Sequence, residues 1–185
     1  MDFKKIGRQV HFIAATKSSS RIGEGSFVRL NNGTILFGFT EFISSGREDE
    51  DVAQISAIVS ADEGETWSQP YTLFKKPENA LNIMSLSFLK MADGDIGAFY
   101  IIKHVDGTDE IVLTRSADNG KTWSVPISCT QNVLDDDYYV INNDRAVMIR
   151  NGRIILPIAR HTIHTQSTDF SAGELCFVYS DDDGK

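Results

Sequence analysis

The chain has 185 residues, 41% hydrophobic and 24% charged, which suits one globular domain with a real core. A net charge of −8 argues against a nucleic-acid partner, because phosphate binding needs a basic face. Cys129 and Cys176 form no CxxC and read as small buried hydrophobes. No run of 18 apolar residues spans a membrane, and no apolar stretch follows Met1 as in a signal peptide, so a cytoplasmic location is expected.

In chain order, the first predicted element is a hairpin at FVRLNNGTILFGF, Phe27 to Phe39: two apolar-rich runs joined at Asn-Gly. Asn-Gly and Asp-Gly are strong hairpin signals because both central residues of a type I′ turn need positive φ. A second strand pair follows, from AQISAIVS into the octapeptide SADEGETW, Ser60 to Trp67. The next unit repeats this order with FLKMADGDIGAFY, Phe88 to Tyr100, then EIVLTRS and SADNGKTW, Ser116 to Trp123. The third has AVMIRNGRIILPI, Ala146 to Ile158, then ELCFVYS and SDDDGK, Ser180 to Lys185, an octapeptide that stops before its Thr and Trp.

The turn glycines Gly33, Gly94 and Gly152 recur at about sixty residues, and no long window shows a helical period. Four antiparallel strands per unit at that period mean an all-β propeller. Within a single domain, 1–185, the blades are expected at about 22–75, 82–130 and 140–185, the last incomplete. In each octapeptide the Asp accepts bonds within its own turn, the Gly two residues on supplies positive φ, and Trp covers the turn. Ser60, Asp62, Gly64 and Trp67 are therefore read as structural, as are Ser116, Asp118, Gly120, Trp123, Ser180, Asp182 and Gly184.

Two complete copies of Ser-x-Asp-x-Gly-x-Thr-Trp in repeat register resemble the Asp-box, or bacterial neuraminidase repeat, of the sialidase superfamily. The segments GEGSFVRLNNGTILFGFTEF, NIMSLSFLKMADGDIGAFY and NNDRAVMIRNGRIILPIARH resemble corresponding stretches of bacterial sialidase-like proteins, from about Arg21 to Lys185. The resemblance implies a six-bladed propeller of roughly twice this length, of which this chain supplies the N-terminal half. Such an arc leaves apolar blade faces open at both ends and is expected to self-associate through them.

Strand direction sorts the chemistry. The A–B turns and octapeptides share one edge; the starts of A, the ends of B and the B–C loops share the other. That other edge collects Arg21, Glu24, Glu41, Asp49, Asp51, Asn82, Lys103, His104, Asn143, Asp144, Arg145, Arg160 and His161. The NNDR run stands out, because four polar residues at the crowded centre of a ring must pair with each other or with a ligand. Tyr138 and Tyr139 reach the same edge.

The resemblance implies a glycoside hydrolase acting on a terminal sugar, sialic acid or another acidic sugar, with the acid/base Asp in the first B–C loop at Asp49 or Asp51. Glu24 is a further carboxylate candidate. Arg21, Glu41, Asn82, His104, Asn143, Asp144, Arg145, Arg160 and His161 are expected to bind the sugar. Of the family's Phe-Arg-Ile-Pro motif, Arg21-Ile22 survives in part and the Pro is absent; counting back from Gly33 puts Gly23 at the arginine's place. A non-catalytic glycan- or protein-binding propeller is the alternative. No cofactor or metal is implied, since the acidic runs DEDV and LDDD lack EF-hand spacing and read as solvated loop charge.

Overall fold

The computed structural model describes residues 7–46, 48–131, 138–161 and 173–185. The LDDD run falls outside them. Among the described residues every regular element is a strand. The first sheet holds β1 (Arg21–Arg29), β2 (Ile35–Phe42), β3 (Ala53–Ser60) and β4 (Tyr71–Phe74), paired antiparallel in that order. The second holds β5 (Ala80–Lys90), β6 (Ile96–His104), β7 (Asp109–Ser116) and β8 (Ile127–Ser128) in the same order. The third holds β9 (Tyr138–Val140), β10 (Val147–Met148), β11 (Ile154–His161) and β12 (Gly173–Ser180). These are propeller blades, three in this chain.

The blades are held together by what alternation turns toward the neighbour. Leu36, Ile55 and Ala57 of the first blade meet Ile83, Leu86 and Phe88 of the second in one core. Phe99, Ile111 and Leu113 of the second meet Leu156, Ile158 and Val178 of the third in another. Residues on both faces of the middle blade are therefore buried, and β6 is buried along nearly its whole length.

Three expectations are corrected. First, the A–B turns are not two-residue type I′ turns. Leu30 N–H bonds to Thr34 O at 2.8 Å and Gly33 N–H to Leu30 O at 3.0 Å, so the loop has three residues, and only its glycine has positive φ. The side chain before that glycine makes the difference. Asn32, Asp93 and Asn151 each accept the N–H two residues on, at 3.1–3.2 Å, which fixes an Asx turn without a left-handed Asn.

Second, the third inner strand is split, with β9 and β10 both pairing β11. Asp144 has φ 57°, and its N–H bonds across to Leu86 O of β5 at 3.0 Å. The Arg145 N–H likewise goes to Ser87 Oγ at 2.8 Å. Two N–H groups of NNDR, those of Asp144 and Arg145, are thus spent on the neighbouring blade.

Third, the octapeptide does more than hold its own corner. Asp118 accepts Thr122 N–H at 2.8 Å and the Thr122 hydroxyl at 2.7 Å, while Ser116 Oγ donates to it at 2.8 Å. Asp62 repeats the set. The residue after the Asp is left-handed in all three copies, at Glu63, Asn119 and Asp183. Asn119 Oδ1 accepts the N–H of Asn31 at 2.8 Å, and Asp183 Oδ1 that of Ala92 at 3.0 Å. Each latches its blade to the A–B turn of the blade before. Arg115 reinforces the second latch through Asp93, Asp95 and Asp183 at 2.6–3.3 Å.

Candidate functional site

On the edge opposite the octapeptides, the site is built around the loop between β2 and β3. Arg21, at the start of β1, donates to Asp49 Oδ1 at 2.5 Å and lies 4.1 Å over the Phe42 ring. Asp51 turns back into its own loop and accepts Glu48 N–H at 2.8 Å. A Cβ at Gly46 would sit 1.9 Å from the Asp51 carboxylate, so a larger residue there would displace that side chain. Asn82 is 0% exposed and donates to the carbonyls of Asp49 and Asp51 at 2.7 and 2.9 Å. It holds the loop from beneath.

Glu41, on β2, accepts the Ser56 hydroxyl at 2.5 Å and Gln54 Nε2 at 3.2 Å. Burial pushes its carboxyl up, but hydrogen bonds led by Ser56 outweigh it and hold it below the usual carboxylate range. Glu41 is therefore ionised at neutral pH.

Deeper toward the third blade, Lys103 stands opposite Asn82 in the register of β5 and β6. It is 8% exposed and donates to the Tyr138 hydroxyl at 3.1 Å. Asp109 opens β7 beside them. Burial pushes its carboxyl up to about 6, against the pull of Lys103, a Tyr138 hydrogen bond and His104. Glu50 of the loop also bears on Lys103 and Asp109.

The remaining expected residues are distributed around these two groups. His104 Nε2 lies 3.6 Å from Glu110 Oε2. The His161 ring lies 5.8 Å from that of Tyr138, and Arg160 Nη1 is 3.9 Å from Glu174 Oε2. Asp144 accepts the Ser26 hydroxyl at 2.6 Å, tying the third blade to the first, while the Arg145 side chain is exposed. Glu24 is exposed at a register shift in β1. Asn143 is partly buried between β9 and β10.

Buried side-chain oxygens without a hydrogen-bond partner among the described residues include those of Thr40, Asn82, Asp109 and Asn143. All belong to this edge. Sequence reasoning omitted Asp109 and Glu50. A charged residue opening the apolar run of β7 was the available signal for the first, since strand C begins on the same edge.

An apolar cavity of 510 Å³ lies elsewhere, between β7–β8 and β11–β12, bounded by Leu113, Cys129, Leu156, Val178 and the third octapeptide. Its carboxylates Asp181 and Asp182 are committed to Arg153 and to Ser180, and burial pushes the Cys129 thiol up to about 12, so these groups offer no poised acid or nucleophile.

Residues 39–185 match the BNR repeat-like domain. A sialidase of Clostridium perfringens is 33% identical over an alignment of 131 residues that covers 63% of this chain and 34% of that protein. A Bacteroides fragilis sialidase is 36% identical over 81 residues, 42% of this chain and 14% of that protein. The chain thus spans about a third or less of the curated relatives it matches. Among solved structures, the Hadza microbial sialidase Hz136 superposes with TM-score 0.74 at 18% identity, over 91% of this chain and 37% of its own. The intramolecular trans-sialidase of Ruminococcus gnavus, solved with oseltamivir carboxylate, gives 0.72 at 14% identity, over 95% and 61%. The octapeptides, the blade order and these matches agree: the chain belongs to the BNR repeat-like family of the sialidase superfamily.

Proposed function

We propose that this chain is the N-terminal part of a sialidase-like glycoside hydrolase acting on a terminal acidic sugar. One observation carries the reading. Arg21, Asp49, Asp51 and ionised Glu41 share the edge on which buried polar groups lack partners, while the octapeptide edge satisfies its own. Unsatisfied buried polar groups are costly, and a polar ligand is one way to offset that cost.

In this reading Arg21 meets the sugar's negative charge, releasing Asp49 as it does so. Asp49 or Asp51 protonates the leaving oxygen, and Glu41 stabilises the positive charge that develops at the anomeric carbon. Gly23 occupies the place of the family's first substrate arginine, so the charge-binding role falls to Arg21. Aryl sialosides and uronides offered to the natural polypeptide carrying this chain test the proposal. Turnover of either supports it. A folded protein that binds glycans saturably and turns over neither refutes it in favour of a non-catalytic propeller.

A further inference from the structure

Where the three blades adjoin on the site edge, the middle blade carries a row of side chains that the proposed hydrolysis does not use. Asn82 of β5, Lys103 of β6 and Asp109 of β7 are successive cross-strand partners. Such partners stand with their Cβ atoms about 4.5–5.5 Å apart. Tyr138 of β9 joins from the third blade, accepting a Lys103 N–H at 3.1 Å and bonding Asp109 in turn. Glu50 joins from the loop of the first blade, close enough for its charge to bear on both Lys103 and Asp109.

The row is buried, yet its hydrogen bonding is incomplete. Both amide hydrogens of Asn82 go to the carbonyls of Asp49 and Asp51, which fixes its Oδ1 as the remaining acceptor. Asn82 is 0% exposed, and that oxygen has no donor among the described residues. Asp109 Oδ2 is in the same position, although Lys103 is its cross-strand neighbour. Lys103 is 8% exposed and carries three N–H donors, of which Tyr138 takes one. A purely structural ion pair would close Lys103 onto Asp109, since a buried charge left short of partners is costly. Instead, two acceptors and an ammonium with donors to spare adjoin the loop of Asp49 and Asp51.

The complement of acceptors beside a donor is a group that both donates and accepts, and a hydroxyl does both. Charge points the same way. The Lys103 ammonium already faces Glu50 and Asp109, so the row has no positive charge left over for a second anion. An acyl methyl in this place would cover Lys103 and Asp109 without pairing either.

We infer that Lys103 and Asp109, with Asn82, determine specificity: they read a hydroxyl on the ring of the sugar held at the Asp49–Asp51 loop, and select it over an acetamido group at the same carbon. The inference rests on the hydrolase reading for the position of the sugar, and its test reads binding rather than turnover.

Two nonulosonic acids that differ only in carrying a hydroxyl or an acetamido group at C5 are the probes. Titration calorimetry uses the natural polypeptide carrying this chain. At pH 7.5 Asp109 is above the value of about 6 to which burial pushes it, so its carboxylate is an acceptor. The hydroxylated acid should bind at least about tenfold more tightly. Lys103→Met and Asp109→Asn should each bring that ratio close to one, chiefly by weakening the hydroxylated acid. A merely structural role would weaken both acids alike, and that result overturns the inference. So does equal binding of the two acids, or binding of neither, by the parent protein. If Lys103→Met does not fold, Asp109→Asn decides alone, because the amide keeps the shape of the carboxylate. Hydrolysis without discrimination sinks the inference and leaves the hydrolase reading standing; discrimination without hydrolysis does the reverse.

Discussion

The two edges of the arc use the same polar residue types to opposite ends. On the octapeptide edge Asp62, Asp118 and Asp182 have their partners within a few residues, and the bond from the octapeptide serine to its Asp recurs in every copy. On the other edge the partners come from distant segments. Arg21 reaches Asp49, Asn82 reaches the same loop, and Ser26 reaches Asp144. Local satisfaction makes a fold. Long-range, incomplete satisfaction leaves groups with capacity for a ligand, at a cost the scaffold must absorb.

The comparison breaks most sharply under carboxylate removal. Asp49→Asn with Asp51→Asn should lower turnover by about 10²–10⁴-fold, with the melting temperature nearly unchanged, because Asp49 is an exposed partner. A stability loss with full activity would move the chemistry elsewhere. Asn82→Ala should strike both properties. It strands two carbonyls beneath the loop, costing about 1–3 kcal/mol in chemical denaturation, and lowers kcat/KM by about ten- to a hundredfold through a misplaced loop. Asp118→Ala should lower the melting temperature by a few degrees and leave the kinetics of the folded fraction intact; a selective fall in kcat would reverse the assignment of the two edges.

The smallest effect is the most discriminating, because the edges titrate in opposite senses. Asp118 is held down to about 2, chiefly by its bonds from Thr122. A depressed carboxyl stabilises the fold above its unfolded value near 4, and that contribution is lost as pH falls from about 4 to 2. Asp109 is pushed up to about 6 by burial. A raised carboxyl contributes most below about 4, and its contribution is lost as pH rises through 6. Stability curves should therefore flatten below pH 4 in Asp118→Ala and between about pH 4 and 6 in Asp109→Asn. Identical curves for both variants would erase the contrast.

What was legible in sequence follows the same division. The octapeptides and Asn/Asp-Gly turns are local and repeated, so the blades could be read from spacing alone. The exact turn could not, because Asn32 and its equivalents choose a backbone through a bond made two residues on. The loop carboxylates and Arg21 were reachable by asking which end of each strand faces which edge. Asn82 was placed on the correct edge, but its burial was invisible, since its partners are loop carbonyls some thirty residues earlier. The Lys103–Tyr138–Asp109 group joins two blades and had no compact signature. NNDR gave no sign that its backbone would turn to β5 and split a strand.

The latch from Asn119 to Asn31 and from Asp183 to Ala92 bears on how the arc folds. A blade that bonds only to itself would melt independently. One that also bonds to its predecessor behaves as a link in a one-dimensional array, where nearest-neighbour terms spread cooperativity. The middle blade takes part in both couplings. Amide exchange should accordingly be slowest in β6 and should quicken toward β2 and β11, so that opening begins at the ends and the centre is the last part to lose its register.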